Sequence, residues 1–376
     1  MSTDKPGGTS SAAEGLTLEA VRDRIDAIDR DLQRLLNERA DCALAVARIK
    51  HAEPGDQPPV FYRPEREAQI LARIKAENQG PLSDEDLARL FREIISCCLN
   101  LEQPLTIAYL GPPGTYTEAA AVKQFGHFAG TRALASIDEV FREVESEGAH
   151  YGVVPVENST EGMVNHTLDC FMESPVLVCA EVELPIHHAL LVSQKTAADE
   201  PITEIVSHAQ SLAQCRHWLD THHPGIPRTP VNSNAEAAQL VAGKPGLAAI
   251  AGEVAAERYG LRILATRIED HPDNKTRFLV IGRQRVGPSG KDKTSILVST
   301  RNEPGALYKV LEPFHSHGIS LTRIETRPAK SGSWSYVFFI DFDGHQSEPR
   351  IQEVLDEVGK VAMEVRSLGS YPQAVV

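Results

Sequence analysis

The sequence predicts three units of different class in one chain: an all-α unit, then an α/β unit, then an α+β unit. Two observations carry this. The period of the apolar residues changes twice, from helical spacing to alternating strand-like and helix-like runs, and then to a short βαββαβ series. Each change falls at a break in composition, the first near Gln103-Pro104 and the second across the polar stretch 284–293, which contains Gly287, Pro288 and Gly290. The expected division is a disordered tail over 1–15, a helical domain over 16–104, an α/β domain over 105–284, a linker over 285–293 and an α+β domain over 294–376.

The helical unit opens with Leu18, Val21, Ile25, Ile28, Leu32 and Leu35, followed by Cys42, Val46 and Ile49. Steps of three and four make a coiled-coil-like seam on one long helix, and Arg39 fills the slot between Leu35 and Cys42. An arginine on a buried stripe costs several kcal/mol unless an anion or carboxylate meets it. Either an internal Arg–Glu pair or a cationic pocket for a small anion satisfies that demand. Lys50 follows Arg39 by 11 residues, which at about 100° per residue returns it to within roughly 20° of the same face. Arg22 precedes Arg39 by 17 residues and points about 100° away, so it can join the others only from a partner helix. A second helix is expected to begin at Pro64, which suits a first helical turn, and carries Arg66 and Glu67. Ser83 and Asp86 form a capping box for a third, with Leu87, Leu90, Phe91, Ile94 and Cys98 on one face and Glu102 four residues beyond Cys98.

Strand-like runs in the middle unit are 106–110, 152–156, 176–178, 189–192, 204–206, 247–251 and 278–281, with helical patterns at 138–147, 211–221 and 235–241. Such alternation places ligands off strand C-termini. Four polar clusters occupy the flanking loops: GPPGTYTEAA (111–120), VENSTEG (156–162), SHAQS (207–211) and NKTRF (274–278). Each alone reads equally as a turn or a helix cap. Together, hydroxyls and helix N-termini suit a small polar acid. His187-His188 reads as a packed strand pair, since no further ligand stands at metal-binding spacing.

The last unit reads as strand 294–300, helix 306–317, strand 320–327, strand 335–342, helix 348–358 and strand 363–368, a ferredoxin-like order. Gly305 opens a helix whose free backbone N–H groups could receive a carboxylate, and an ordinary helix start fits as well.

A net charge of −14 argues against general binding to nucleic acid or to a membrane surface. No run approaches the roughly 18 apolar residues of a membrane span. Met1–Gly15 has no apolar core and does not read as a signal peptide. Six cysteines (42, 97, 98, 170, 179, 215) form no CxxC pair and read as reduced core residues of a cytoplasmic protein, with no disulfide framework and no metal site. Walker loop, dinucleotide fingerprint and nucleophile elbow are all missing from the sequence.

The four clusters, in this order and at these separations, closely resemble the motifs of prephenate dehydratases. The helical unit is similar to the all-helical chorismate mutases at Arg22, Arg39, Lys50, Arg66-Glu67 and Glu102. The C-terminal unit resembles an ACT domain, with GALY (305–308) and ETRP (325–328) in the places of that family's two motifs. Three motif sets agree on the bifunctional chorismate mutase–prephenate dehydratase family of phenylalanine biosynthesis.

That resemblance implies a mutase bundle, a two-lobed dehydratase domain like periplasmic binding proteins, and a regulatory ACT domain. It implies chorismate and prephenate as substrates, L-phenylalanine as feedback inhibitor, no cofactor, and a homodimer or higher homo-oligomer. In the mutase, Arg22 and Arg39 would bind the two carboxylates, Lys50 and Glu102 would face the ether oxygen, and Glu67 would take the ring hydroxyl. Arg63, Arg66 and Cys98 would complete that pocket. Arg63, Cys98 and Glu102 stand where the enteric pattern has aspartate, serine and glutamine. In the dehydratase, Thr276 would assist departure of hydroxide, Glu157 is the candidate proton source, and Arg277 would neutralise a carboxylate. Thr115, Tyr116, Thr117, Asn158, Ser159, Thr160, Ser207, His208, Gln210 and Phe278 would line the site. Gly305, Ala306, Leu307, Glu325, Arg327 and Pro328 would form the effector site. The main rival is an amino-acid sensor that uses a two-lobed binding fold without catalysis. A cationic helical pocket speaks against it, since a sensor has no use for a second anion site.

Overall fold

The computed structural model describes residues 17–52, 60–328 and 336–374, so the tail expected over 1–15 lies outside the described residues. Helix α1 (Leu18–Ala52) is 35 residues long and buries only Ala43 and Ala47. Helix α2 (Pro64–Glu77) starts on Pro64 as expected. Helix α3 (Asp84–Glu102) is capped by Ser83, whose Oγ accepts from the Asp86 N–H at 3.1 Å. The small residues of α1 let α3 approach, and α2 packs beside α3.

The apolar seam is not buried. Residues 18–38 of α1 are exposed apart from the half-buried Ala27, and Ile25, Leu32 and Leu35 each show about half of their surface. Periodicity identified an apolar face, but no described residue of the same chain covers it.

Two α/β lobes follow. The first contains β1 (Thr106–Leu110), α4 (Tyr116–Phe125), β2 (Gly130–Leu134), α5 (Ile137–Glu145), β3 (Tyr151–Asn158), β4 (Gly162–Met163), α6 (Asn165–Glu173) and β5 (Leu177–Pro185). The chain then crosses to β6 (Ala189–Ser193), β7 (Glu204–His208), α7 (Ala209–Gln214), α8 (Arg216–His222), β8 (Arg228–Val231), α9 (Asn234–Val241), β9 (Leu247–Ala251), α10 (Glu253–Tyr259) and β10 (Leu261–Ala265). It returns through β11 (Lys275–Gly282), which lies antiparallel between β3 and β5 in the first sheet, ordered β2-β1-β3-β11-β5. The second sheet runs β10-β6-β9-β7-β8.

The expected helix 211–221 is two helices, broken at Cys215. The carboxylate of Asp270 accepts from the N–H groups of His217 and Trp218 at 2.9 and 3.1 Å and so starts a new helix there. No local pattern announces a cap supplied from 50 residues away.

The last unit is β12 (Asp292–Thr300), α11 (Ala306–Ser316), β13 (Leu321–Pro328), β14 (Tyr336–Asp343), α12 (Pro349–Val361) and β15 (Glu364–Pro372). Its sheet is ordered β13-β14-β12-β15, the ferredoxin-like arrangement. Strand β15 packs on β5 so closely that a Cβ at Gly369 would lie 2.4 Å from the Val178 carbonyl oxygen. The stretch read as a linker is a packed strap. Val286 is buried and its carbonyl oxygen accepts from His345 Nε2 at 2.9 Å, while Gln284 donates to the Tyr62 carbonyl at 3.0 Å.

Two candidate active sites

The helical unit holds a cavity of about 310 Å³. Arg39 and Lys50 enter it from α1, Arg63, Arg66 and Glu67 from the start of α2, and Cys98 and Glu102 from α3. Arg39 and Lys50 are half-buried, and backbone carbonyls hold both side chains: Arg39 Nη1 donates to Ile94 O at 3.4 Å, and Lys50 Nζ to Val60 O at 2.8 Å. Arg63 is tethered to Glu65 at 2.8 Å. Arg22 does not line this cavity and is exposed on the unpartnered half of α1.

The two acids of the cavity share one electrostatic character. Burial raises the pKa of Glu102 above its ordinary value, and the opposing charges of Lys50 and Arg39 do not cancel that shift. Burial likewise raises Glu67, against the pull of Arg92, whose Nε lies 3.6 Å from Glu67 Oε1. Both environments favour the protonated carboxyl, a hydrogen-bond donor, among four cationic side chains.

A larger cleft of about 770 Å³ opens between the two lobes. Thr115, Tyr116 and Thr117 reach it from the start of α4, His208 from the end of β7, Gln210 from the start of α7, and Asn158, Thr276 and Phe278 from β3 and β11. No arginine or lysine lines it among the described residues. Positive potential comes instead from the N-termini of α4 and α9, capped by Thr115 and Ser233.

Thr276 Oγ1 accepts from Asn158 Nδ2 at 2.9 Å, so its own O–H is left to donate into the cleft. Asn158 Oδ1 meanwhile accepts from Thr160 N, Thr160 Oγ1 and Glu161 N, which fixes the amide orientation. Asn158 Nδ2 also donates to Asn274 Oδ1 at 2.9 Å, and Ser159 Oγ contacts the same oxygen at 3.4 Å. Asn274 and His188 both meet Gln214 Oε1, at 3.4 and 2.8 Å, and Gln214 Nε2 donates to Thr160 Oγ1. His188 is buried beside the Tyr116 hydroxyl at 3.0 Å, and burial lowers its pKa, which favours the neutral ring. Asn274, Gln214 and His188 line the cleft in addition to the site residues that the sequence points to. Asn274 belongs to the NKTRF motif, whereas nothing local marks Gln214; His187-His188 is not the expected strand pair but the connection between β5 and β6, where His187 meets Glu269 and His188 turns to the cleft.

Several expected site residues sit elsewhere. Glu157 and Arg277 face each other in the β3–β11 ladder, on the side away from the cleft, because successive residues of a strand alternate. Glu157 is ion-paired with Arg323 of β13, and Arg277 is bound to Glu181 and Asp341. Neither lines the cleft. Ser207 lies beneath it, fully buried, with its one O–H donating to Ile250 O at 2.7 Å and Asn234 Oδ1 beside it at 3.0 Å. Ser159 and Thr160 support Asn274 and Gln214 from outside the lining.

In the last unit, Gly305 has φ +80° and leads into Ala306 and Leu307 at the start of α11. Glu325 and Arg327 alternate inward along the edge strand β13, which ends at Pro328. Arg327 is engaged by Asp169 of α6 through two bonds of 2.8 and 2.9 Å, a partner that an effector would have to displace. All six cysteines are unpaired; Cys42 is exposed and only Cys98, Cys179 and Cys215 are buried, so core packing accounts for half of them. Asp138, His166 and Cys170 gather ligand atoms within 4.8 Å of one another on α5 and α6, and none of the three lines either cavity. No described helix is long and apolar enough to cross a membrane.

Family models match three consecutive segments: chorismate mutase type II over 21–103, prephenate dehydratase over 107–286 and the ACT domain over 294–360. The bifunctional chorismate mutase/prephenate dehydratase of Pseudomonas aeruginosa is 59% identical over 360 residues, covering 96% of this chain and 98% of that protein. The protein of the same name from Stutzerimonas stutzeri is 58% identical over 97% of this chain and 100% of its own. Among solved structures, prephenate dehydratase from Arthrobacter aurescens in complex with L-Phe is 34% identical, with a TM-score of 0.66 over 72% of this chain and 90% of that one.

Proposed function

The chain belongs to the family of bifunctional chorismate mutase–prephenate dehydratases, and from that membership we propose a division of labour between its two clefts. Residues 16–104 rearrange chorismate to prephenate, 105–284 convert prephenate to phenylpyruvate, and 294–376 take L-phenylalanine as feedback inhibitor. The family membership and the second, cationic pocket both speak against the non-catalytic sensor.

In the first reaction an ether C–O bond breaks as a C–C bond forms, with no covalent enzyme intermediate. The protein therefore acts by holding the compact conformer and by meeting charge that develops on the ether oxygen. Arg39 takes one carboxylate, and Arg22 of a second copy takes the other, since α1 of one copy leaves it outside the cavity. Lys50 and protonated Glu102 donate to the ether oxygen, Glu67 holds the ring hydroxyl, and Arg63, Arg66 and Cys98 close the wall. This requires a homodimer or larger assembly, which we place in the cytoplasm.

In the second reaction the ring carboxylate leaves as carbon dioxide, its bonding electrons enter the ring, and hydroxide departs as the ring becomes aromatic. Hydroxide is a poor leaving group unless a donor meets it. Thr276 is that donor: Asn158 occupies its lone pair and orients its O–H. The substrate carboxylates rest on the N-termini of α4 and α9, with Thr115, Thr117, His208 and Gln210 supplying hydrogen bonds.

The convergence of Arg39, Lys50 and Glu102 in one cavity and of Thr276 and Asn158 in another carries this reading. Arg39→Ala should abolish mutase turnover and spare the dehydratase; Thr276→Ala should do the reverse. Chorismate consumption and phenylpyruvate absorbance in alkali read the two steps separately. Loss of both activities from either change in a folded protein would defeat the two-site assignment.

A further inference from the structure

Thr276 and Arg277 are adjacent on β11, and their side chains leave the strand on opposite faces. Behind the cleft, Arg277 is buried and all three of its donor nitrogens are engaged. Nε donates to Glu181 Oε2 at 2.8 Å, Nη1 to Asp341 Oδ2 at 2.7 Å and Nη2 to Tyr371 Oη at 2.9 Å. Glu181 belongs to β5 of the same sheet, whereas Asp341 and Tyr371 belong to β14 and β15 of the C-terminal sheet.

The partners are themselves held. Ser295 Oγ lies 2.6 Å from Asp341 Oδ1 and 2.7 Å from Tyr371 Oη, and Lys293 Nζ donates to both oxygens of Glu181 at 2.8 and 3.0 Å. Two cations thus meet two carboxylates in a closed, buried cluster. A planar guanidinium with all three nitrogens engaged fixes direction as well as charge. The Glu157–Arg323 pair repeats the link on the next strand, directly behind Asn158.

We propose that Arg277 is a positioning residue that fastens the catalytic strand to the regulatory sheet, so that the aim of the Thr276 hydroxyl depends on the state of the C-terminal unit. The proposal rests on the reading of Thr276 as the donor. Threonine is stiff at χ1, so its hydroxyl direction follows the backbone of β11 and the Asn158 bond. Any shift of Asp341 and Tyr371 relative to Glu181 moves Arg277, and with it the peptide that carries Thr276. A misplacement of about 1 Å at a reacting group can cost roughly 100-fold in rate. A substrate ligand would instead present its guanidinium to the cleft, and this one has its back to it.

The test uses the full chain with Asp341→Asn and Tyr371→Phe, both on the regulatory side of the cluster. Dehydratase kcat, prephenate KM and the response to phenylalanine are measured, with mutase activity of the same samples as the internal measure of folding. Asp341→Asn should lower dehydratase kcat roughly tenfold with KM within about twofold, and should shift half-inhibition by phenylalanine at least about threefold. Tyr371→Phe should move the same quantities less, and mutase turnover should be unchanged. If Asp341→Asn also loses mutase activity, the milder Tyr371→Phe variant decides. Wild-type kcat and phenylalanine response in the folded variants would overturn the proposal and leave the cluster as interface packing. A rise in KM alone would overturn it too, in favour of a substrate-binding arginine. Full dehydratase activity in Thr276→Ala would be a different failure, that of the donor assignment beneath it.

Discussion

Glu102 ends α3 next to two cations, and its carboxyl nevertheless titrates above the usual range because burial outweighs Lys50 and Arg39. The direction matters for chemistry. Only the protonated acid can donate to the ether oxygen; the carboxylate would repel the negative charge developing there. Mutase kcat/KM should therefore be highest below the Glu102 pKa and fall by about tenfold per pH unit above it. A raised pKa carries the active range further toward neutrality than a free glutamate near 4.3 would. Glu102→Gln keeps the donor and removes the titration, so its profile should be flat where the parent falls, with equal or higher activity at neutral pH and an unaltered dehydratase profile. A pH profile identical to the parent would take Glu102 out of the mechanism. Residue spacing alone makes Arg39, Lys50 and Glu102 legible in the sequence. It could not place Arg277, because a motif states which residue follows Thr276 and only the strand's two faces state that the pair must diverge.

At the scale of elements, legibility followed burial. Strands with apolar neighbours on both sides, such as β1, β7 and β9, stood out as continuous apolar runs. The strands β2, β8 and β10 are all sheet edges and half-solvated; β2 and β8 are correspondingly polar, whereas β10 leaves Ile263 and Leu264 exposed, so its apolar run has no alternation to read. Helix α1 is the converse case: its apolar period is plain, and no described residue of this chain covers it. A seam with Ile25 at 50% and Leu32 at 52% exposure is the kind of contiguous apolar patch that marks an interaction surface, which is where the proposed second copy would pack. Ile25→Glu with Leu32→Glu should dissociate the oligomer in sedimentation and remove mutase activity while sparing the dehydratase cleft. Mixed Arg22→Ala and Arg39→Ala proteins, each inactive alone, should regain part of the mutase activity after subunit exchange, since one of the two hybrid sites carries both arginines. Absence of recovery with exchange verified would return Arg22 to the surface.

At the scale of the whole molecule, three units share interfaces that a division by composition does not reveal. Arg92 of α3 donates to the last carbonyls of α4 at 2.7 and 3.2 Å, and Tyr62 packs in one cluster with Phe125 and Tyr151. Leu297, Val337, Phe339, Leu368 and Tyr371 of the C-terminal unit share a core with Val154, Val156 and Leu279 of the first lobe. A chain ending near Gly282 would, by composition alone, be expected to keep dehydratase activity and merely lose its inhibition. The shared core predicts otherwise. Each large apolar side chain buried there contributes about 1.5–3 kcal/mol, and a domain's whole margin is about 5–15 kcal/mol. The cut also strips Asp341 and Tyr371 from a buried arginine. Removal of residues 283–376 should therefore lower the melting temperature of the dehydratase lobes by more than about 10 °C and reduce turnover even without phenylalanine. Melting by circular dichroism together with phenylpyruvate formation reads both effects. An unchanged melting temperature with full turnover would mean that the catalytic lobes stand alone and that the regulatory sheet only rests against them.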